Sequence, residues 1–170
     1  MDRGLTGKDV ESEFRFPEND SSFPLSELAV MAREQFLAFL KMSGFSSTDQ
    51  SCVFGSHYLL MILKRFGPRD ALISIQSGGL KPSTGIKSPD GQLNKHMWVL
   101  CEVDKKQWVV DITADQFGFA PVCYVRVTDA ESAFFADHKK TTEALLGRMH
   151  QDDAVLREMF NVRVLNQKLP

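Results

Sequence analysis

The segment Cys52–Phe66, CVFGSHYLLMILKRF, constrains this chain more than any other. Its apolar residues fall almost all round a helical wheel, the pattern of a helix buried at the centre of a fold. It is closed by Gly67-Pro68, a helix stop, and preceded by the polar run 45–51 (FSSTDQS), rich in N-cap residue types. Cys52 therefore falls in the first turn of a buried helix.

The remaining segments are read around that helix. A first helix is expected from Leu25 to Met42, started by Pro24 and Ser26 and stopped by Gly44, with Leu28, Ala32, Phe36, Phe39 and Leu40 as its core stripe. Residues 71–76 read as a strand. Residues 77–95 (SGGLKPSTGIKSPDGQLNK) read as one uninterrupted loop, of a length usually reserved for a lid or binding loop. Residues 96–103 and 107–111 read as two antiparallel strands, and 121–127 as a third. The stretch 130–160 is expected to be mostly helical with a break near Gly147, and 160–165 to be a short last strand. Helices first, then antiparallel strands, then helices is the order of an α+β fold.

At 170 residues the chain fits one domain, on a prior of ~150 residues per domain. Residues 1–23 read as a polar, partly disordered leader and 24–170 as a single domain. With 20 Lys+Arg against 22 Asp+Glu, the net charge of −2 argues against a nucleic-acid binder. No apolar run approaches the ~18–20 residues of a membrane span, and MDRGLTGKDVESEF carries no apolar core of a signal peptide. Three cysteines, an odd count without a CxxC pair, fit free thiols in a reducing, cytoplasmic setting. Secretion as an effector is a weaker alternative.

A cysteine at a helix start has a chemical consequence. Unpaired N–H groups and the positive end of the helix dipole favour the thiolate, which is the nucleophile of covalent acyl chemistry. It needs a base, and the base needs an orienting group. His96 opens one strand of the sheet and Asp111 closes its neighbour, so both can lie at one sheet edge. The hairpin register decides whether they meet. If Val103 pairs with Lys106, His96 lies opposite Thr113 and Asp111 is a diagonal neighbour on the same face. If the loop centres on Val103-Asp104, His96 and Asp111 are directly opposed. If Val103 pairs with Gln107, they point to opposite faces. The expectation is one of the first two.

The ordered set Cys52-Val-Phe-Gly-Ser-His-Tyr-Leu-Leu, then His96-Met-Trp98, then Trp108-Val-Val-Asp111-Ile-Thr113 resembles the transglutaminase-like branch of the papain-like cysteine enzymes. The resemblance spans roughly residues 50–115. It implies a papain-like, transglutaminase-like fold in which the Cys-bearing helix packs on the antiparallel sheet. It also implies a Cys-His-Asp triad, with Cys52 as nucleophile, His96 as base and Asp111 as orienter. The usual Gln several residues before the Cys is replaced by Gln50, only two before, and the Arg-Gly-Gly of arylamine acetyltransferases is absent. Gln50, with the Cys52 N–H, is the candidate oxyanion donor.

The expected activity is that of a thiol-dependent amide hydrolase or acyltransferase: cysteine protease, glutamine deamidase or transglutaminase. Its partner is a peptide or protein amide, with no cofactor, metal, nucleic acid or membrane; the oligomeric state stays open. Trp98, Gly78 and Gly79 are candidate substrate-binding residues. The competing reading is a non-catalytic interaction module on the same fold. Cys101 and Cys123 read as structural thiols in mid-strand. His57, roughly 140° round the helix from Cys52, is set aside as a partner. His138 and His150 read as solvated in helical sequence, and Asp115-Gln116 as a weaker competitor for the orienting role.

Overall fold

The structure is a computed structural model that describes residues 23–152. The leader up to residue 22 and the expected strand at 160–165 lie outside the described residues. Helix α1 (Leu25–Met42) and helix α2 (Cys52–Phe66) begin and end where the capping signals place them. Strand β1 (Leu72–Gly78) follows, then short strands β2 (Gly85–Lys87) and β3 (Leu93–Asn94), and the long strands β4 (His96–Val103) and β5 (Lys106–Asp111). A 3-10 turn (Ala114–Phe117) leads to β6 (Cys123–Arg126), α3 (Val127–Ala130), β7 (Phe134–Phe135) and α4 (Lys139–Asp152).

The main sheet is antiparallel in the order β1-β4-β5-β6, and a small second sheet has the order β3-β2-β7. The fold is α+β, with helices packed on an antiparallel sheet. Alternation along the strands sends Val99, Cys101, Val110 and Ile112 to one face, where they join Leu28, Ala32, Phe36, Leu59 and Leu63 of α1 and α2 in the principal core. Trp98 and Val109 face the other way, onto Ala130 and Phe134. Helix α2 buries the stripe Gly55, Ser56, Leu59, Ile62 and Leu63, while Val53, Tyr58 and Leu60 are half-buried. Its all-round apolar pattern thus overstates its burial, because α1 and the sheet cover only part of its circumference.

Three expectations need correction. Residues 77–95 are not an open loop: β1 extends to Gly78, and β2 and β3 form a hairpin closed by β7. The buried carboxylate of Asp137 ties this segment down, accepting from Ser77 Oγ (3.0 Å), Thr84 Oγ1 (2.6 Å), Lys81 N–H (3.1 Å) and Leu80 N–H (3.3 Å). Those partners are far apart in sequence, so the glycines and prolines masked the short strands. Gly147 does not break α4, which runs through it. The position is exposed with open space around it, where glycine costs only ~1 kcal/mol relative to alanine. His138 precedes α4 rather than lying within it, and its Nδ1 accepts the Lys140 N–H at 3.3 Å. Among the described residues no helix is long and apolar enough to cross a membrane.

Candidate active site

The β4–β5 hairpin turns on Asp104 and Lys105, at φ 51° and 61°, with Val103 opposite Lys106. Two successive left-handed residues make a type I′ turn, whose twist matches that of the strands. This is the first of the favourable registers. Continued along the ladder, it puts Trp98 opposite Asp111 and His96 opposite Thr113, all on one face.

The His96 Nε2–H donates to Asp111 Oδ2 at 2.5 Å, and both side chains are almost fully buried. The second oxygen of the carboxylate is also occupied: Asp111 Oδ1 accepts the Thr113 N–H (2.8 Å) and Thr113 Oγ1–H (3.1 Å). An aspartate bonded to the backbone two residues on is an Asx turn. Here it fixes the carboxylate so that one oxygen is reserved for the imidazole. The Trp98 ring stacks at 6.1 Å from the His96 ring, and Phe117 meets it edge-on at 4.9 Å. These rings keep water from the pair, where charge interactions are stronger than in solvent.

Burial pushes the His96 imidazole toward its neutral form. The Asp111 charge and hydrogen bond oppose this, and a hydrogen bond and charge from Cys52 add to them. The balance raises the pKa from 6.5 to about 9. The ring's other nitrogen, Nδ1, is buried and has no fully formed hydrogen bond. Cys52 thus acts on the ring without reaching full hydrogen-bond geometry at Nδ1.

Helix α2 brings Cys52 there. Gly55 packs so closely on the strand end that a Cβ would lie 2.5 Å from Thr113 Cγ2. The next residue, Ser56, donates its hydroxyl to the Met97 carbonyl at 2.8 Å, one residue from His96. The helix start is left open. Ser51, at the N-cap, makes no capping bond, and its hydroxyl turns back to the Thr48 carbonyl at 2.6 Å. First-turn N–H groups, without intrahelical acceptors, remain as donors beside the half-buried thiol of Cys52.

The turn before α2 is braced by the 3-10 turn after β5. Arg33 of α1 donates to the Ile112 carbonyl (2.5 Å) and grips Asp115 with both terminal nitrogens (3.0 and 2.7 Å). Asp115 Oδ1 accepts from Thr48 Oγ1 at 2.9 Å. Asp115 therefore braces the turn and does not compete for His96. Sequence reading missed the Arg33 clamp, although a buried arginine among Ala29, Ala32 and Phe36 on a core stripe was a usable signal. It also missed Thr113 as the anchor of the carboxylate.

Gln50 is exposed at φ 59°, and its backbone N–H donates to Gln116 Oε1 at 3.2 Å. Trp98 is 2% exposed, a wall of the site rather than a surface for substrate. Gly78 pairs with His96 across β1 and β4, and a Cβ there would meet the Gly85 backbone at 2.6 Å. Gly79 sits at φ 94° against Lys95. Close backbone approach accounts for both glycines. The His57 Nδ1–H donates to the Val53 carbonyl at 2.8 Å. Burial pushes the Cys101 thiol up to about 12; burial, with the charges of Asp111 and Asp115, does the same to Cys123. Among the described residues no three His, Cys, Asp or Glu side chains gather as a metal-binding group.

Comparison of the chain with protein-family models, curated proteins and solved structures gave no match.

Proposed function

We propose that this chain is a thiol-dependent amide hydrolase or acyltransferase of papain-like, transglutaminase-like architecture, working through a Cys52-His96-Asp111 triad. The observation that carries the reading is the buried His96–Asp111 pair, whose free ring nitrogen is left for a cysteine at an uncapped helix start. Asp111 holds one proton on Nε2, and with the ring pKa raised to about 9 a second proton, drawn from Cys52, rests on Nδ1 at neutral pH. The Cys52 thiolate so formed bonds through Sγ to the carbonyl carbon of an amide. The developing oxyanion is met by the Cys52 N–H and the Gln50 side chain. The tetrahedral species collapses by breaking the C–N bond, and the leaving nitrogen takes the proton from Nδ1. The resulting thioester is resolved by water, giving hydrolysis or deamidation, or by an amine, giving acyl transfer; His96 accepts the proton of either as the C–S bond breaks and Sγ leaves as the thiolate.

Acylation is tested without knowing the natural substrate. Incubation with p-nitrophenyl acetate, read by peptide mass spectrometry, is expected to place an acetyl group on Cys52 and to spare Cys101 and Cys123. Neutral hydroxylamine should remove it, as it does a thioester. Equal labelling of all three cysteines, or none at Cys52, contradicts the proposal.

A further inference from the structure

The geometry points to Gln116 as the residue that positions the oxyanion hole, an inference that rests on the acyl-transfer reading above. Gln116 belongs to neither the helix nor the strands that carry the triad. Its Oε1 accepts the backbone N–H of Gln50 at 3.2 Å, and its Nε2 donates to the Thr113 carbonyl at 2.8 Å. Thr113 in turn holds Asp111 Oδ1, and Asp111 holds His96. One amide side chain thus links the turn that delivers Cys52 to the turn that fixes the carboxylate.

The turn requires such a link. Gln50 sits at φ 59°, a left-handed conformation costly for a residue with a side chain, which persists only when its surroundings impose it. Two consecutive residues of the 3-10 turn supply the restraint, Asp115 through Thr48 and Gln116 through Gln50. The conformation of residue 50 sets where the chain enters α2, and hence where the Cys52 N–H and the Gln50 side chain point. Nδ1 of His96, buried and without a fully formed hydrogen bond, is the ring atom left for Cys52. Gln116 itself touches no reacting atom; it acts through Gln50.

Two reagents separate this role from general support of the site. Iodoacetamide alkylates a thiolate by displacing iodide and develops no carbonyl oxyanion. With p-nitrophenyl acetate, the Sγ–C bond forms as the carbonyl oxygen becomes an oxyanion, and p-nitrophenolate then leaves. In Gln116→Met, which keeps the volume but loses both hydrogen bonds, Cys52 acetylation is expected to fall ~10–100-fold, in keeping with the loss of an oxyanion donor. Alkylation should stay within about 2-fold of wild type, since it develops no oxyanion and the bonds joining Thr113, Asp111 and His96 are made without Gln116. Gln116→Glu retains an acceptor for the Gln50 N–H and should recover part of the acetylation rate.

Equal acetylation in Gln116→Met and wild type overturns the inference. So does a parallel loss of both reactions, which would assign Gln116 to thiolate formation or to folding. An ordinary, slow alkylation of Cys52 in the wild type is a different result, and overturns the acyl-transfer reading itself.

Discussion

Replacing Asp111 by alanine is expected to lower stability by about 3–5 kcal/mol, the usual cost of removing one partner from a buried ion pair. The Thr113 N–H and hydroxyl lose their acceptor at a position closed to water, and His96 loses the charge that offsets its burial. Asp111→Asn separates stability from chemistry. Its amide oxygen can still accept from Thr113, so a smaller loss, about 1–2 kcal/mol, is expected. Its NH2 group, however, faces Nε2 and demands an acceptor there. The ring proton then moves to Nδ1, which can no longer take a proton from Cys52. Triads broken in this way lose ~10⁴-fold in rate, and a loss of that order is expected in Cys52 acetylation. Chemical denaturation and acetylation kinetics on both variants check this. Asp111→Asn at wild-type rate would remove Asp111 from the mechanism.

The second large effect is on stability against pH. The His96 pKa is raised from 6.5 to about 9 in the folded chain. The folded state therefore holds a proton that the unfolded state has released between those two values. The stabilisation is fully present below pH 6.5 and is lost as pH climbs through 9. A rise of this size corresponds to on the order of 3 kcal/mol. Wild-type stability is expected to decline across this window more steeply than that of His96→Gln, with the largest gap between the two at the acid end. Urea midpoints between pH 6 and pH 10 give the comparison, and parallel curves would mean that His96 gains no proton on folding.

The sequence was informative where cause is local. Pro24, Gly44 and Gly67-Pro68 delimit α1 and α2, and period-3.6 apolar spacing places their core faces. The His96-to-Asp111 geometry was legible to within a choice of registers, because a two-residue Asp-Lys turn sets the alternation of both strands. The unread parts depend on partners distant in sequence. Asp137 organises 77–84 from more than fifty positions away, and nothing near Gly78 or Gly85 announces it. The brace Arg33–Asp115–Thr48 joins three segments that meet only once the helices are packed. Gln116 was legible only as half of Asp115-Gln116, a weaker competitor for the orienting role, and its bond to Gln50 exists only in the folded chain.

The central claim is that Cys52 and His96 form one nucleophilic unit, and the rate of Cys52 alkylation by iodoacetamide across pH tests it most directly. Peptide mass spectrometry reads all three cysteines at once, so Cys101 and Cys123, both pushed up to about 12, serve as slow internal references. The account predicts fast alkylation of Cys52 alone below pH 7, abolished by His96→Ala. A wild-type Cys52 that reacts like a free thiol of pKa ~8.5, or a rate unchanged by His96→Ala, would contradict it.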